Sequence, residues 1–405
     1  SSSAVVSVVS GASFSSPSVL DYGGYFSNWI TLILYGGAQS SNFSSIGGLS
    51  FNQTQTAEVF DFLSKNSSGD LDAVISYIEG LRENGGKDGA IEALSQASGY
   101  FIANAIRSAA FWRTKNILFD RIQKPSSLSK NGKMWVASNF TDFTVSSDGS
   151  ILSDYNDSSS QITAGCDIFT KNVFSAGVYA GYSGVWAKQN GIYEAEISNT
   201  ALGFYGGYFN WDWEIKAAFT GEFNGYSTKR RLPFIERTAK ADFDGNSVSA
   251  SVESAYKIKI SRAIYLKPFA ALNAVNSSYR SFKETGADSL NLRVKKGNYF
   301  MSDICGGLGI SQNNSFYNWQ IRAEGAFLLS GQNPEIESFF DGDETETLFR
   351  SRGNEEETFS FGISASADVS LSDSVKIYAG FGYFSRGQGE AFNMTCGFSY
   401  CFNSL

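Results

Sequence analysis

The sequence predicts an all-β transmembrane β-barrel of about twelve antiparallel strands, preceded by a small α-helical region and a short β-rich segment. Three observations carry that prediction. From about Lys133 to Phe402 apolar and polar residues alternate with a period of two, segment after segment. Aromatic residues make up 15% of the chain, with 34 Phe and 20 Tyr, yet the mean hydropathy is −0.17. Apolar and polar positions must therefore be finely interleaved. No apolar run of about 18 residues occurs, so no transmembrane helix is expected, whereas short alternating strands cross a membrane with a neutral average.

Residues 1–50 are rich in Ser and Gly, with short β-like runs at Ala4–Val9 and Trp29–Tyr35. The chain opens at Ser1 rather than Met, and Ser1–Ala12 lacks the basic region of a signal peptide. An export signal is therefore expected upstream, on a longer protein.

From Thr54 to Ile122 the period becomes helical. Val59, Phe60 and Leu63 form one stripe; Leu71, Val74, Ile75, Ile78 and Leu81 form a second. Asp70 is the expected N-cap of that second helix, and Gly85–Gly86 its end. Asp88 is expected to cap a third helix bearing Ile91 and Leu94. The fourth, from about Gly99 to Ile122, is the longest. It carries Arg107, Arg113, Lys115 and Arg121 against one acid, Asp120, and Pro125 ends it.

Strands are expected at 133–146, 158–169, 173–187, 194–209, 211–226, 237–257, 262–279, 297–311, 316–330, 356–370, 374–386 and 389–402. The fifth shows the logic. Trp211, Trp213, Ile215, Ala217, Phe219 and Phe223 alternate with Asp212, Glu214, Lys216, Thr220 and Glu222 over about 13 residues, the length of a tilted membrane strand and its rims. Charge on a lipid face is costly, so Asp212, Glu214, Lys216, Glu222, Arg322 and Glu324 are assigned to the lumen. Connections at Asn210, Lys259–Ser261 and Asp373 read as tight turns; 147–157, 227–236, 280–296 and 331–355 read as long polar loops.

Composition also excludes functions. A net charge of −8 argues against nucleic acid as a partner. With no His in the chain, Ser–His and Cys–His nucleophiles and His-ligated metals are impossible, and neither metal nor cofactor is expected. Lumenal acids such as Glu214, Glu222, Glu253 and Glu324 fit a hydrated pore wall better than a catalytic pair. Cys305-Gly-Gly-Leu-Gly309 resembles a phosphate loop only faintly, because no helix follows it. Cys396 and Cys401 lie roughly 17 Å apart on one strand, too far for a disulfide, and four free thiols are expected.

The last strand carries a resemblance. Thr395, Gly397, Phe398, Tyr400 and Phe402 resemble the barrel-insertion signal of outer-membrane proteins, although three residues follow the final aromatic. Leu49-Ser-Phe-Asn-Gln53 is similar to the Leu-Thr-x-Asn-Gln motif of the monomeric (type Va) autotransporters. Leu94-Ser95 and Ser98-Gly99-Tyr100 resemble that family's segment before its long helix; Trp135 sits where its first strand begins. Tyr265-Leu-Lys-Pro-Phe269 is similar to one of its strand motifs. The resemblance covers Leu49 to Phe402.

It implies the C-terminal end of a β-rich passenger at 1–50, a helical linker at 51–132 with a pore-spanning helix near 99–122, and a translocator barrel at 133–405. The implied function is export and surface anchoring of the chain's own passenger across the bacterial outer membrane, without enzymatic turnover. Outer-membrane lipid, the barrel-assembly machinery and periplasmic chaperones are the implied partners of a monomer. Some members cut the passenger free inside the pore; Asn104 and Asn116 are the asparagines available for that chemistry. The alternative is a passive porin or solute channel, which needs no helical region before its first strand. At about 24 residues and near 36 Å, the basic 99–122 helix is long enough to thread the barrel toward an acid-rich lumen. It has an alternative too: Ile102, Ile106, Ala109 and Trp112 suit a bundle packed outside the mouth.

Overall fold

The computed structural model describes residues 42–65, 68–111, 133–145, 155–189, 191–314, 316–331, 333–354, 357–387 and 389–402. Most of the β-rich segment, most of the 147–157 loop, and Arg113, Lys115, Asn116 and Arg121 lie outside the described residues.

Twelve antiparallel strands close into one barrel: β1 (Lys133–Val145), β2 (Tyr155–Lys171), β3 (Phe174–Gln189), β4 (Tyr193–Phe209), β5 (Trp213–Leu232), β6 (Arg237–Tyr256), β7 (Ile264–Tyr279), β8 (Gly297–Asn313), β9 (Tyr317–Ser330), β10 (Phe359–Ser370), β11 (Val375–Arg386) and β12 (Gly389–Cys401). Each strand pairs with its successor, and β1 pairs with β12 from Lys133↔Cys401 to Val145↔Gly389. Closure leaves no unpaired edge, which the bilayer would not tolerate. The rim holding Lys133 and Cys401 is called lower here; its connections are brief, for example Asn172–Val173 and 210–212.

Phe140, Ile162, Leu202, Phe219, Val252 and Met394 stand outward and exposed, alternating with inward polar residues, and form the lipid-facing belt. At this hairpin β5 runs beyond expectation, while β6 begins where expected. β5 reaches Leu232 and β6 starts at Arg237, so 227–236 is not a loop but the top of a hairpin of two 20-residue strands. Alternation persists there, with Tyr226, Thr228 and Arg230 buried inward. The 280–296 and 331–355 connections are not loops throughout either. Phe282–Lys283, Leu292–Val294, Glu335–Phe340 and Phe349–Arg352 build a separate four-stranded sheet above the upper rim. Its inward apolar residues Leu292, Val294, Ile336, Phe340 and Phe349 join the helical core.

Four helices precede β1: α1 (Phe51–Leu63), α2 (Asp70–Gly85), α3 (Lys87–Ser98) and α4 (Phe101–Phe111). Ser50 and Gln53 form a reciprocal capping box at the start of α1. Neither expected acidic cap holds: Gly69 precedes α2 and Gly86 precedes α3. Asp70 is drawn instead into an ion pair with Arg237, 2.7 Å, and accepts from Ser289. That pair ties the N-terminus of α2 to the upper end of β6 and holds the Asp70 carboxyl well below the usual carboxylate range, against a smaller opposing effect of burial. Together α1–α3 and the small sheet make a cap over the upper mouth.

Candidate functional site: a lumen entered by a helix

The junction of α3 and α4 turns on Gly99. Its φ of +67° lies in the left-handed region, and a Cβ there would overlap the Leu292 side chain. The turn aims α4 down into the barrel, where it touches β3 and β4 on one side and β7 and β8 on another. Phe101, Ile102, Ala105, Ile106 and Ala109 are all buried, and so are Asn104, Arg107 and Ser108. A helix buried on every face belongs inside a structure rather than on it.

The wall around α4 is apolar. On β4, Tyr193, Ala195 and Ile197 are buried inward, while Glu194, Glu196 and Ser198 face out. Further down the same strand Leu202 and Phe204 are the exposed outward residues. The apolar face thus changes sides without a register slip, at the height where the strand leaves the lipid belt. Val185, Tyr226, Val275 and Met301 complete the apolar sleeve. Phe101 stacks on Tyr193 at 5.2 Å, and Tyr100 meets the same ring edge-on at 5.4 Å. The polar side of α4 is satisfied as well. Ser108 and Tyr155 share a hydrogen bond, Tyr155 donates to Asp157 at 3.2 Å, and the Arg107 guanidinium lies 5.7 Å from the Tyr155 ring. Arg107 also donates to the Asn354 carbonyl at 3.2 Å.

The lower lumen differs. On one side an ionic network crosses between strands that are not neighbours: Lys267 of β7 to Glu214 of β5 at 3.2 Å, and Arg322 of β9 to Glu253 of β6 at 2.7 Å. Lys257 and Lys216 add bridges to Glu214 and Glu253, and Arg322 lies 3.9 Å from both Glu324 and the centre of the Phe269 ring. On the other side Trp135 donates to Tyr205 at 2.9 Å, Tyr205 to Asp167 at 2.6 Å, and Tyr378 to the Val136 carbonyl at 2.8 Å. These rings lie flat on glycines of adjacent strands: Gly165 beneath Trp135, Gly177 beneath Tyr205, Gly397 beneath Tyr378. Any Cβ at Gly397 would overlap both the Tyr378 hydroxyl and the Val136 carbonyl.

A family model for the autotransporter beta-domain matches residues 134–382, more than half of the chain. The chain belongs to the autotransporter β-domain family. Among solved structures, the autotransporter domain has the fold of the translocator domain of NalP from Neisseria meningitidis. That match has 14% identity and a TM-score of 0.56, and covers 67% of this chain and 88% of that one. The transport unit of AIDA-I from Escherichia coli is similar at 14% identity and a TM-score of 0.53, over 75% of this chain and 98% of that one. A search of curated proteins finds no match. The autotransporter domain is an outer-membrane translocator, with its passenger exposed at the cell surface, and such domains are transport units.

The sequence-selected residues fall as follows in the autotransporter domain. Phe398 and Tyr400 face outward on β12 and Phe402 follows just beyond its end, exposed as well; Thr395 and Gly397 are on the other face. Glu214, Lys216, Glu222, Arg322 and Glu324 lie on the less exposed face of their strands. Asp212 does not: it sits exposed in the turn, where the Asn210 side chain accepts from its backbone N–H and delays β5 to Trp213. Of the four basic helix residues only Arg107 is described, and it is buried in the upper mouth. Wall bases already neutralise Glu214, Glu253 and Glu324, so these acids offer a basic helix less attraction than their count suggests. All four cysteines are free. Sequence reasoning passed over Arg230 and Asn354, and named Asn52 only within the Leu49–Gln53 motif, without its partner Arg352. Arg230 pairs with Glu284 while donating to the last carbonyls of α3 and to the Leu290 carbonyl. An Arg on an inward strand position two residues from the hairpin tip was the available signal.

Proposed function

We propose that this chain exports and then anchors its own N-terminal passenger, and that the segment beginning at α4 fills the pore after export. On this reading residues 1–50 are the end of the passenger, 51–132 the linker, and 133–405 the translocator. The upper rim and cap face the outside. The barrel-assembly machinery inserts the barrel by way of β12, after escort by periplasmic chaperones, and the unit works as a monomer in outer-membrane lipid. It needs no cofactor and turns over no substrate; folding of the emerging passenger supplies direction.

The observation that carries the reading is the burial of α4 inside the upper lumen, between strands on different sides of the barrel. α4 lies toward the upper rim and β1 begins at the lower rim; the residues that join them lie outside the described ones. The test is single-channel conductance in planar bilayers, comparing the full chain with one that starts at Lys130. Removal of the segment is expected to raise conductance several-fold. Equal conductance from the two would place the segment outside the pore.

A further inference from the structure

We propose that residues 351–354, in the connection between β9 and β10, are a latch that holds the pore helix shut from above. The proposal rests on the reading that α4 and the segment after it close the pore. Within these four residues Ser351, Arg352 and Asn354 grip three separate helices. Ser351 donates through its hydroxyl to the Ser98 carbonyl at the end of α3. Arg352 donates its N–H to Asn52 of α1 at 2.7 Å and accepts from the same amide at 2.8 Å, so the Asn52 side chain imitates a partner strand. Asn354 donates its N–H to Asn104 of α4 at 2.7 Å and accepts from the Asn104 amide at 3.1 Å. Its carbonyl takes the bond from Arg107, one turn further along α4.

Gly353 explains how the strap comes so close. A Cβ at that position would overlap the Asn104 amide and would lie 2.8 Å from Pro334. The other edge of the strap is fixed by pairing of Glu335 with Arg352 and by the Gly353 N–H to the Pro334 carbonyl at 2.8 Å. The strap is thus an arm of the barrel wall, covalently continuous with β9 and β10, folded over the mouth.

The apolar sleeve and the strap hold α4 in different ways. Apolar packing resists withdrawal but is nondirectional, so depth and rotation are set by directional contacts, the Ser108–Tyr155 bond from the wall and those of the strap. Paired amides between Asn104 and Asn354 fix one depth and one rotation, because both donor and acceptor must align. Both asparagines are buried, so a slipped helix would leave their polar groups without water or partner. Asn104 and Asn354 are positioning residues for the closed pore. Opening requires the strap to lift, while the barrel itself stays intact.

The test uses the full chain in planar bilayers. The Asn104→Ala, Asn354→Ala double variant and, separately, Gly353→Ala are expected to show brief openings at least tenfold more often than the parent. Their unitary conductance should equal that of the chain starting at Lys130. Gly353→Ala changes no helix residue and presses on the Asn104 amide from the strap side, so it tests unlatching with the sequence of α4 intact. Heat-modifiable gel mobility, unchanged in both, confirms that the barrel is folded. If the shortened chain conducts and both variants stay as quiet as the parent, the latch is refuted while the plug stands. If the shortened chain conducts no better than the parent, the plug fails first and the latch with it.

Discussion

The upper and lower halves of the lumen are lined by the same strands, yet they obey opposite rules. Around α4 the inward residues are Val185, Tyr193, Ile197 and Met301, an apolar sleeve that excludes water. Below, the inward residues are Glu214, Lys216, Glu253, Lys267 and Arg322, tied to one another across the wall. What differs is the neighbour, not the strand. In the upper half a helix stands inside and polar surroundings outside; in the lower half lipid stands outside. A residue's chemistry follows whatever its side chain meets, so β4 is apolar outward at Leu202 and apolar inward at Ile197.

Three substitutions and one change of pH test that contrast, beginning with the largest effect. Gly397→Val should prevent closure of the barrel. Its Cβ meets the backbone carbonyl of Val136 across the β1–β12 seam, and a backbone clash has no rotamer escape. The expected result is loss of the heat-modifiable folded band; a normally folded barrel would show that the ring-on-glycine packing of the lower half is dispensable.

Next, a charge placed in each half should have unequal consequences. Ile197→Asp buries an unpaired carboxylate in the sleeve and should weaken seating of α4 by about 3–5 kcal/mol. Lys267→Met in the lower half leaves Glu214 with Lys257 at 3.7 Å and should cost only about 1–2 kcal/mol. Protease protection of α4 and thermal unfolding, read side by side, give the comparison. Equal losses at the two sites would mean the upper sleeve is as hydrated as the lower wall.

The smallest effect concerns pH. Asp70 is held low chiefly by Arg237. For Asp341 burial pushes upward, but Lys283 and Arg293 outweigh it and the carboxyl is again lowered. A carboxyl depressed in the folded state stabilises above its unfolded value of about 3.9, and that contribution is lost as pH falls through the folded value. The cap should therefore stay seated at pH 5 and loosen only below about pH 4. Hydrogen exchange at the start of α2 measures this; loosening near pH 6 would point to some other titrating group.

The barrel was legible because its signal is local. Period-two alternation repeated twelve times requires no knowledge of what packs where, and strand number and lower turns followed from it. Ser50 and Gln53 entered only as part of the Leu49–Gln53 motif; the structure shows that they cap α1. Asp70 and Asp212 were misread because a local rule lost to a distant or competing partner. Arg237 lies 167 positions from Asp70, and the Asn210 side chain captures the turn that Asp212 was expected to leave.

The sequence by itself determined that the chain folds as a barrel and that helices precede it, because alternation and helical periodicity are written in adjacent residues. Only the tertiary structure showed that α4 is buried against β3, β4, β7 and β8, and that parts of 280–296 and 331–355 form a sheet rather than loops. It also decided that Asn52 and Asn104 meet a strap some 250 to 300 residues away. Such contacts depend on which faces the closed barrel brings together, and an amide side chain is equally content with water or with a partner until the fold removes the water.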